Sequence, residues 1–151
     1  MFARMFITVF LCALFTDAAS AAHRSSAAEA KAHLEKATAF YKKEGHDSAL
    51  AAFNQKDGEF TQRDLYVFAI DTNGRYLALG LNPMRVGVSM RDMLDAAGNS
   101  LYGMFMRAVG QNPDLASASY VWLNPQTNQV ENKTSYLRQL DDVILGVGYY
   151  N

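Results

Sequence analysis

The sequence predicts an α+β fold, with helices grouped before and between antiparallel strands. Three observations carry this reading. Ala30, Leu34, Ala37 and Tyr41 recur at i, i+4, i+7 and i+11, the stripe of an amphipathic helix. Asn73-Gly74 separates two runs rich in β-formers, a strong short-range hairpin signal. The last third of the chain holds three adjacent strand-like runs. Strands collected in runs, rather than alternating with helices, argue against a doubly wound parallel sheet.

Residues 1–21 read as a secretory signal, with Arg4 in the positive region, an uncharged apolar run from Met5 to Phe15, and Ala19-Ser20-Ala21 as the cleavage site. The run is shorter than the ~20 residues of a membrane span, and Asp17 ends it. Cys12, the only cysteine, leaves with the signal, so the mature chain has no disulfide or thiol chemistry. One domain over 22–151 remains, long enough to bury a single core.

Within it, Ser25 or Ser26 caps a helix that runs to about Glu44, with Lys42 and Lys43 at its negative end and Gly45 beyond. Its length allows barely three heptads, so the stripe fits packing on a sheet better than a coiled-coil seam. Asp47 caps a short second helix, Ser48 to Phe53. Leu65 to Asp71 and Tyr76 to Leu79 form the first hairpin, with positive φ expected at both Asn73 and Gly74. Met90 to Leu94 and Ser100 to Val109 have helical spacing. Ala116 to Leu123, Gln129 to Leu140 and Val143 to Tyr149 read as antiparallel strands. All three prolines follow asparagine and mark loops.

Composition narrows the function. Losing Arg4 and Asp17 leaves the net charge at −1, with no basic excess for nucleic acid or anionic lipid. No apolar run follows the signal, which predicts a mature chain without a membrane span. The chain stops within two residues of the last strand, leaving no expected room for an output domain. Gly146-Val-Gly148 lacks the third glycine and the following helix of a nucleotide loop; small residues there suit close approach of a neighbour. His23, His33 and His46 lack metal-ligand spacing, and no serine sits in a nucleophile elbow. No cofactor is implied.

Ser119-Tyr-Val-Trp-Leu-Asn-Pro125, Asn132-Lys-Thr-Ser-Tyr-Leu-Arg138 and Gly146-Val-Gly-Tyr149 bring the only tryptophan, several tyrosines and two cations together. Aromatic walls with a few placed cations suit a small polar molecule, above all an anion. The block also resembles the end of a bacterial single Cache domain of the second type. Gly45, Phe53-Asn54, Asp64-Leu-Tyr-Val-Phe68, Asp71-x-x-Gly74, Asn82-Pro83, Val86-Gly87 and Asp95-x-x-Gly98 extend the resemblance over nearly all of the mature chain. It implies a PAS-like sensor fold, a long N-terminal helix on an antiparallel sheet of about five strands. A small ligand, typically a short organic acid, would lie between the sheet and the irregular segment covering it. Two departures stand out: Leu79 where many members carry histidine, and Arg85 in the loop after it.

Tyr120 and Trp122 share one face of a strand, as sheet core or as pocket wall; the resemblance favours the wall. Lys133 lies on the next strand; turned outward it is solvated, turned inward it wants a bound anion. Tyr136 has the opposite parity, so both reach one pocket only across a bulge. Tyr66 shares a strand face with Phe68, and Arg85 and Arg91 flank the covering segment, where an arginine holds a carboxylate through two hydrogen bonds or is simply solvated. The expectation is a periplasmic or secreted sensor domain that binds a small organic anion without chemistry and signals through a membrane receptor partner. The rivals are a ligand-free interaction module and an enzyme using Asp92 and Asp95, the only acidic pair on one turn.

Overall fold

The computed structural model describes residues 24–151. The expected signal at 1–21 and Cys12 lie outside the described residues.

Helix α1 spans Ala27–Glu44. Ser26 closes a capping box: its hydroxyl accepts the Glu29 N–H at 3.2 Å, and the Glu29 carboxylate accepts the Ser26 N–H at 2.7 Å. The Ser26 amide, with Arg63 beside it, holds the Glu29 carboxyl down to about 2. Helix α2, His46–Phe53, follows at once. Its cap is Gly45, at φ 84°, and not Asp47 as expected; Asp47 sits one position inside, exposed in the first turn, where its charge still suits the helix dipole.

Strands β1 (Thr61–Gln62), β2 (Leu65–Asp71) and β3 (Tyr76–Leu79) precede a short 3-10 turn at Pro83–Arg85. Helix α3 (Leu101–Gln111), capped by Ser100, leads into β4 (Ala116–Asn124), β5 (Gln129–Leu140) and β6 (Val143–Tyr150). All pairings are antiparallel: β1 and β3 both pair with β2, and β6, β5 and β4 follow in that order. The two-residue β1 raises the expected five strands to six.

The sheet is buried on both faces. On one, Ala30, Leu34 and Ala37 of α1 and Phe53 of α2 pack on Val67, Ala69, Leu145 and Val147. Arg138 of β5 grips Glu35 of α1 through two parallel hydrogen bonds of 2.7 Å, fixing the helix across the strand. On the other face, Leu101, Phe105 and Val109 of α3 pack on Phe68, Ile144 and Leu137.

Two local expectations are corrected. Asn73-Gly74 turns the hairpin, but among its residues only Gly74 has positive φ, 83°. The Gly74 N–H donates to Asp71 O and the Asp71 N–H to Arg75 O, both at 2.9 Å, which closes a three-residue loop rather than a two-residue one. Leu77 then bulges between the pairs Ala69–Ala78 and Ile70–Tyr76. Met90 to Leu94 forms no helix. Leu94 bridges to Ser100, and the Asp95 carboxylate captures the amides of Asn99, Ala97 and Val121 at 2.7, 3.0 and 3.1 Å. A short acidic side chain that bonds nearby amides offers the backbone an alternative to helix.

Candidate ligand-binding site

The face of the sheet turned toward α3 carries the site. Lys133 stands opposite Tyr120 on β4 and opposite Tyr150 on β6, so cross-strand pairing puts all three on that face. Tyr66 and Phe68 of β2 share it, because Phe68 pairs with Gly146. The two glycines of β6 clear lanes for these side chains. A Cβ at Gly146 would come within 2.1 Å of the Phe68 ring, and one at Gly148 within 2.3 Å of Lys133 Cε. The Leu77 bulge reverses the parity of β3 before it, which turns Tyr76 toward the same face.

Between this face and the covering segment lies a cavity of about 170 Å³. The sheet contributes Tyr66, Phe68, Tyr76, Leu79, Tyr120 and Trp122. Leu101 and Phe105 of α3 close one side, and Leu81, Asn82, Arg85, Met90 and Met93 form the cover. Phe105 stacks on Phe68 at 5.6 Å and meets Tyr120 edge-on at the same separation.

Behind the aromatic wall, Lys133 is 1% exposed. Its ammonium donates to Tyr66 Oη at 2.7 Å and to Tyr150 Oη at 3.4 Å, and lies 4.4 and 4.7 Å from the centroids of those rings. Tyr150 in turn donates to Leu123 O at 2.7 Å. Among the described residues no carboxylate pairs with Lys133. Burial raises the hydroxyls of Tyr120 and Tyr150 above the ordinary phenol range and pushes Tyr76 up to about 12. At neutral pH Tyr150 is therefore uncharged, and its oxygen accepts from Lys133 without neutralising it.

The structure thus brings Tyr66, Arg85, Tyr120 and Trp122 to the cavity and sets Lys133 behind Tyr66 rather than on the wall. Arg85 is exposed at the mouth, its Nη1 3.7 Å from the sulfur of Met93. Tyr136 is not part of this group: with no bulge to turn it, it lies on the α1 face and stacks on Tyr149 at 5.9 Å. Arg91 is tied to the hairpin, donating to Asn73 O at 2.7 Å and lying over Tyr102. Asp92 is exposed, while the Asn99, Val121 and Ala97 amides hold the Asp95 carboxyl below its usual range, which engages it structurally. The sequence reading missed Tyr76, hidden by the bulge, and Tyr150, although strand parity with Lys133 was available to find it.

This arrangement, helices and an irregular cover on opposite faces of an antiparallel sheet, can be compared with known proteins. The chain matches the Single Cache domain 2 family over residues 16–151. It is a single Cache domain. Among solved structures, this Cache domain is similar to a methyl-accepting chemotaxis protein from Vibrio parahaemolyticus, at 23% identity and a TM-score of 0.67, covering 82% of this chain and 86% of that one. The periplasmic sensor domain of a chemotaxis protein matches at 22% identity and a TM-score of 0.60, over 80% and 87% of the two chains. A Cache chemosensory domain described for its recognition of carboxylic acids matches at 20% identity and a TM-score of 0.58, over 80% and 85%. These likenesses establish the shared fold. Among curated proteins, none matches this sequence. Among the described residues no helix is long and apolar enough to cross a membrane.

Proposed function

We propose that this Cache domain is an extracytoplasmic sensor that binds a short organic acid and catalyses nothing. The observation that carries the anion is Lys133, an ammonium 1% exposed with only hydroxyl and ring partners among the described residues. A buried charge without a counter-charge is costly, and a carboxylate entering the adjoining cavity would relieve that cost. Tyr66 is the intermediary: its oxygen accepts from Lys133, and its own O–H is the donor offered to the ligand. Arg85 at the mouth supplies a second positive charge. The neighbour described for carboxylic acid recognition supports the same ligand class.

Residues 1–21 would direct export and be removed, leaving 22–151 as the sensor, which passes its state to a membrane receptor. Mass spectrometry of exported protein beginning near Ala22 tests that part. The ligand-free interaction module is less favoured, because side chains leave about 170 Å³ unfilled. A thermal-shift screen of organic acids, amino acids and amines, followed by titration of Trp122 emission, tests the whole. Trp122 is the only tryptophan and lines the cavity, so a bound acid should change its emission saturably at one-to-one stoichiometry. Stabilisation by amines alone would overturn the anion reading.

A further inference from the structure

We infer that the acid this site selects has a bulky apolar body, the size of a branched five-carbon chain or a benzene ring (~150 Å³), and not the single methyl group of acetate. The inference rests on the reading of the cavity as a carboxylate site and names what occupies the rest of it.

The cavity holds about 170 Å³, and an apolar cavity of about 150 Å³ accommodates benzene. Acetate seated on Tyr66 would leave most of that space empty. Phe68, Leu79, Leu81, Met90, Leu101 and Phe105 make much of the wall apolar, and of the polar groups that also line it the Tyr76 and Tyr120 hydroxyls are already taken, by the Met93 sulfur and by Ser135. Phe68, Met90, Leu101 and Phe105 are at most 5% exposed, so their shape is set by packing rather than by adjustment to the ligand. The Phe68 and Phe105 rings, stacked on each other 5.6 Å apart at an interplanar angle of 19°, hold each other in place and keep that part of the wall apolar. Arg85 does not contradict this, because its exposed guanidinium keeps its water when an apolar group lies beneath it.

Isothermal titration of the purified domain with sodium acetate, propionate, butyrate, isovalerate, benzoate, 2-naphthoate and glutarate, at constant ionic strength, tests the inference. Affinity should rise about fourfold with each added methylene from acetate upward, the increment of burying one such group. It should peak at isovalerate or benzoate and collapse at 2-naphthoate. Leu81→Phe, at a half-buried wall position, should move the peak to a shorter acid. If acetate binds as tightly as isovalerate, the apolar-body inference falls while the carboxylate site stands. If glutarate binds more tightly than every monoacid, Arg85 is a second carboxylate seat and the inference falls. If no acid in the series binds, the proposed function fails and the inference with it.

Discussion

Replacing Lys133 with methionine should separate ligand binding from folding. The two side chains are similar in length, so the lane across Gly148 stays filled. The substitution removes an ammonium hydrogen bond of 2.7 Å to Tyr66, of the kind that contributes about 1.5–3 kcal/mol. The ring centroids of Tyr66 and Tyr150 lie 4.4 and 4.7 Å from the ammonium, but it sits toward their hydroxyl edges, so the rings add little beyond the hydrogen bonds to their hydroxyls. Against these stands the cost of holding a charge out of water, several kcal/mol for an ion that no carboxylate compensates. The opposing effects are of the same order, so unfolding free energy should change by no more than about 2 kcal/mol by this balance. Binding has no such offset. Affinity for the best carboxylate should fall by about 1.5–3 kcal/mol, roughly ten- to hundredfold. Urea denaturation of the free protein and calorimetric titration measure the two effects. Because Lys133 acts through the Tyr66 hydroxyl, Tyr66→Phe and Lys133→Met should be strongly non-additive in binding. A variant destabilised by more than about 3 kcal/mol that keeps its affinity would make Lys133 a structural residue and refute the reasoning.

Gly148→Ala places a methyl 2.3 Å from Lys133 Cε and 2.6 Å from Ser135 Oγ and should cost about 1–3 kcal/mol of stability, of which Lys133→Ala in the same chain should restore only part. Gly74→Val combines a φ of 83° with a Cβ 2.8 Å from the Tyr102 ring, so it should lower the melting temperature and leave ligand preference unchanged; an unaltered melt would contradict the turn geometry. His33 is 8% exposed, with Nε2 3.1 Å from Phe60 O, and burial holds its imidazole below the usual 6.5. The folded state therefore favours the neutral ring. Its contribution is complete above pH 6.5 and is lost as pH falls through the lowered folded value. His33→Gln should flatten that part of the denaturation midpoint's pH dependence, and an identical slope in both proteins would assign it to other groups.

Much of the architecture was legible because it rests on local chemistry. Ser26, one of the two serines the sequence offered as cap, takes that place and closes a capping box with Glu29. The stripe Ala30, Leu34, Ala37 found its sheet. Sequence failed where a side chain captured backbone amides, as Asp95 does between Met90 and α3, or where one extra residue reversed strand parity, as Leu77 does for Tyr76 just before it. The site was legible only in part. Parity alone separated Lys133 from Tyr136, but it could not say which face held a cavity. Nor could it show that Lys133 would lie behind Tyr66 rather than beside the ligand, since that depends on the space left by Gly148 two strand positions before the end of β6.

The Asp95 turn has a bearing on how a ligand can get in. Strand β4 is an edge of the sheet, and at Val121 its backbone N–H is taken by the Asp95 carboxylate while its carbonyl accepts the Ala96 N–H at 3.0 Å. The cover thus also pairs that edge at Val121. Were it to lift at the Asp95 end, each opening would bare unpaired strand groups, the template on which chains stack into aggregates. Opening at the other end, around Asn82 and Arg85, leaves those groups covered. The proposed ligand, entering and leaving there, would not disturb the pairing at Val121.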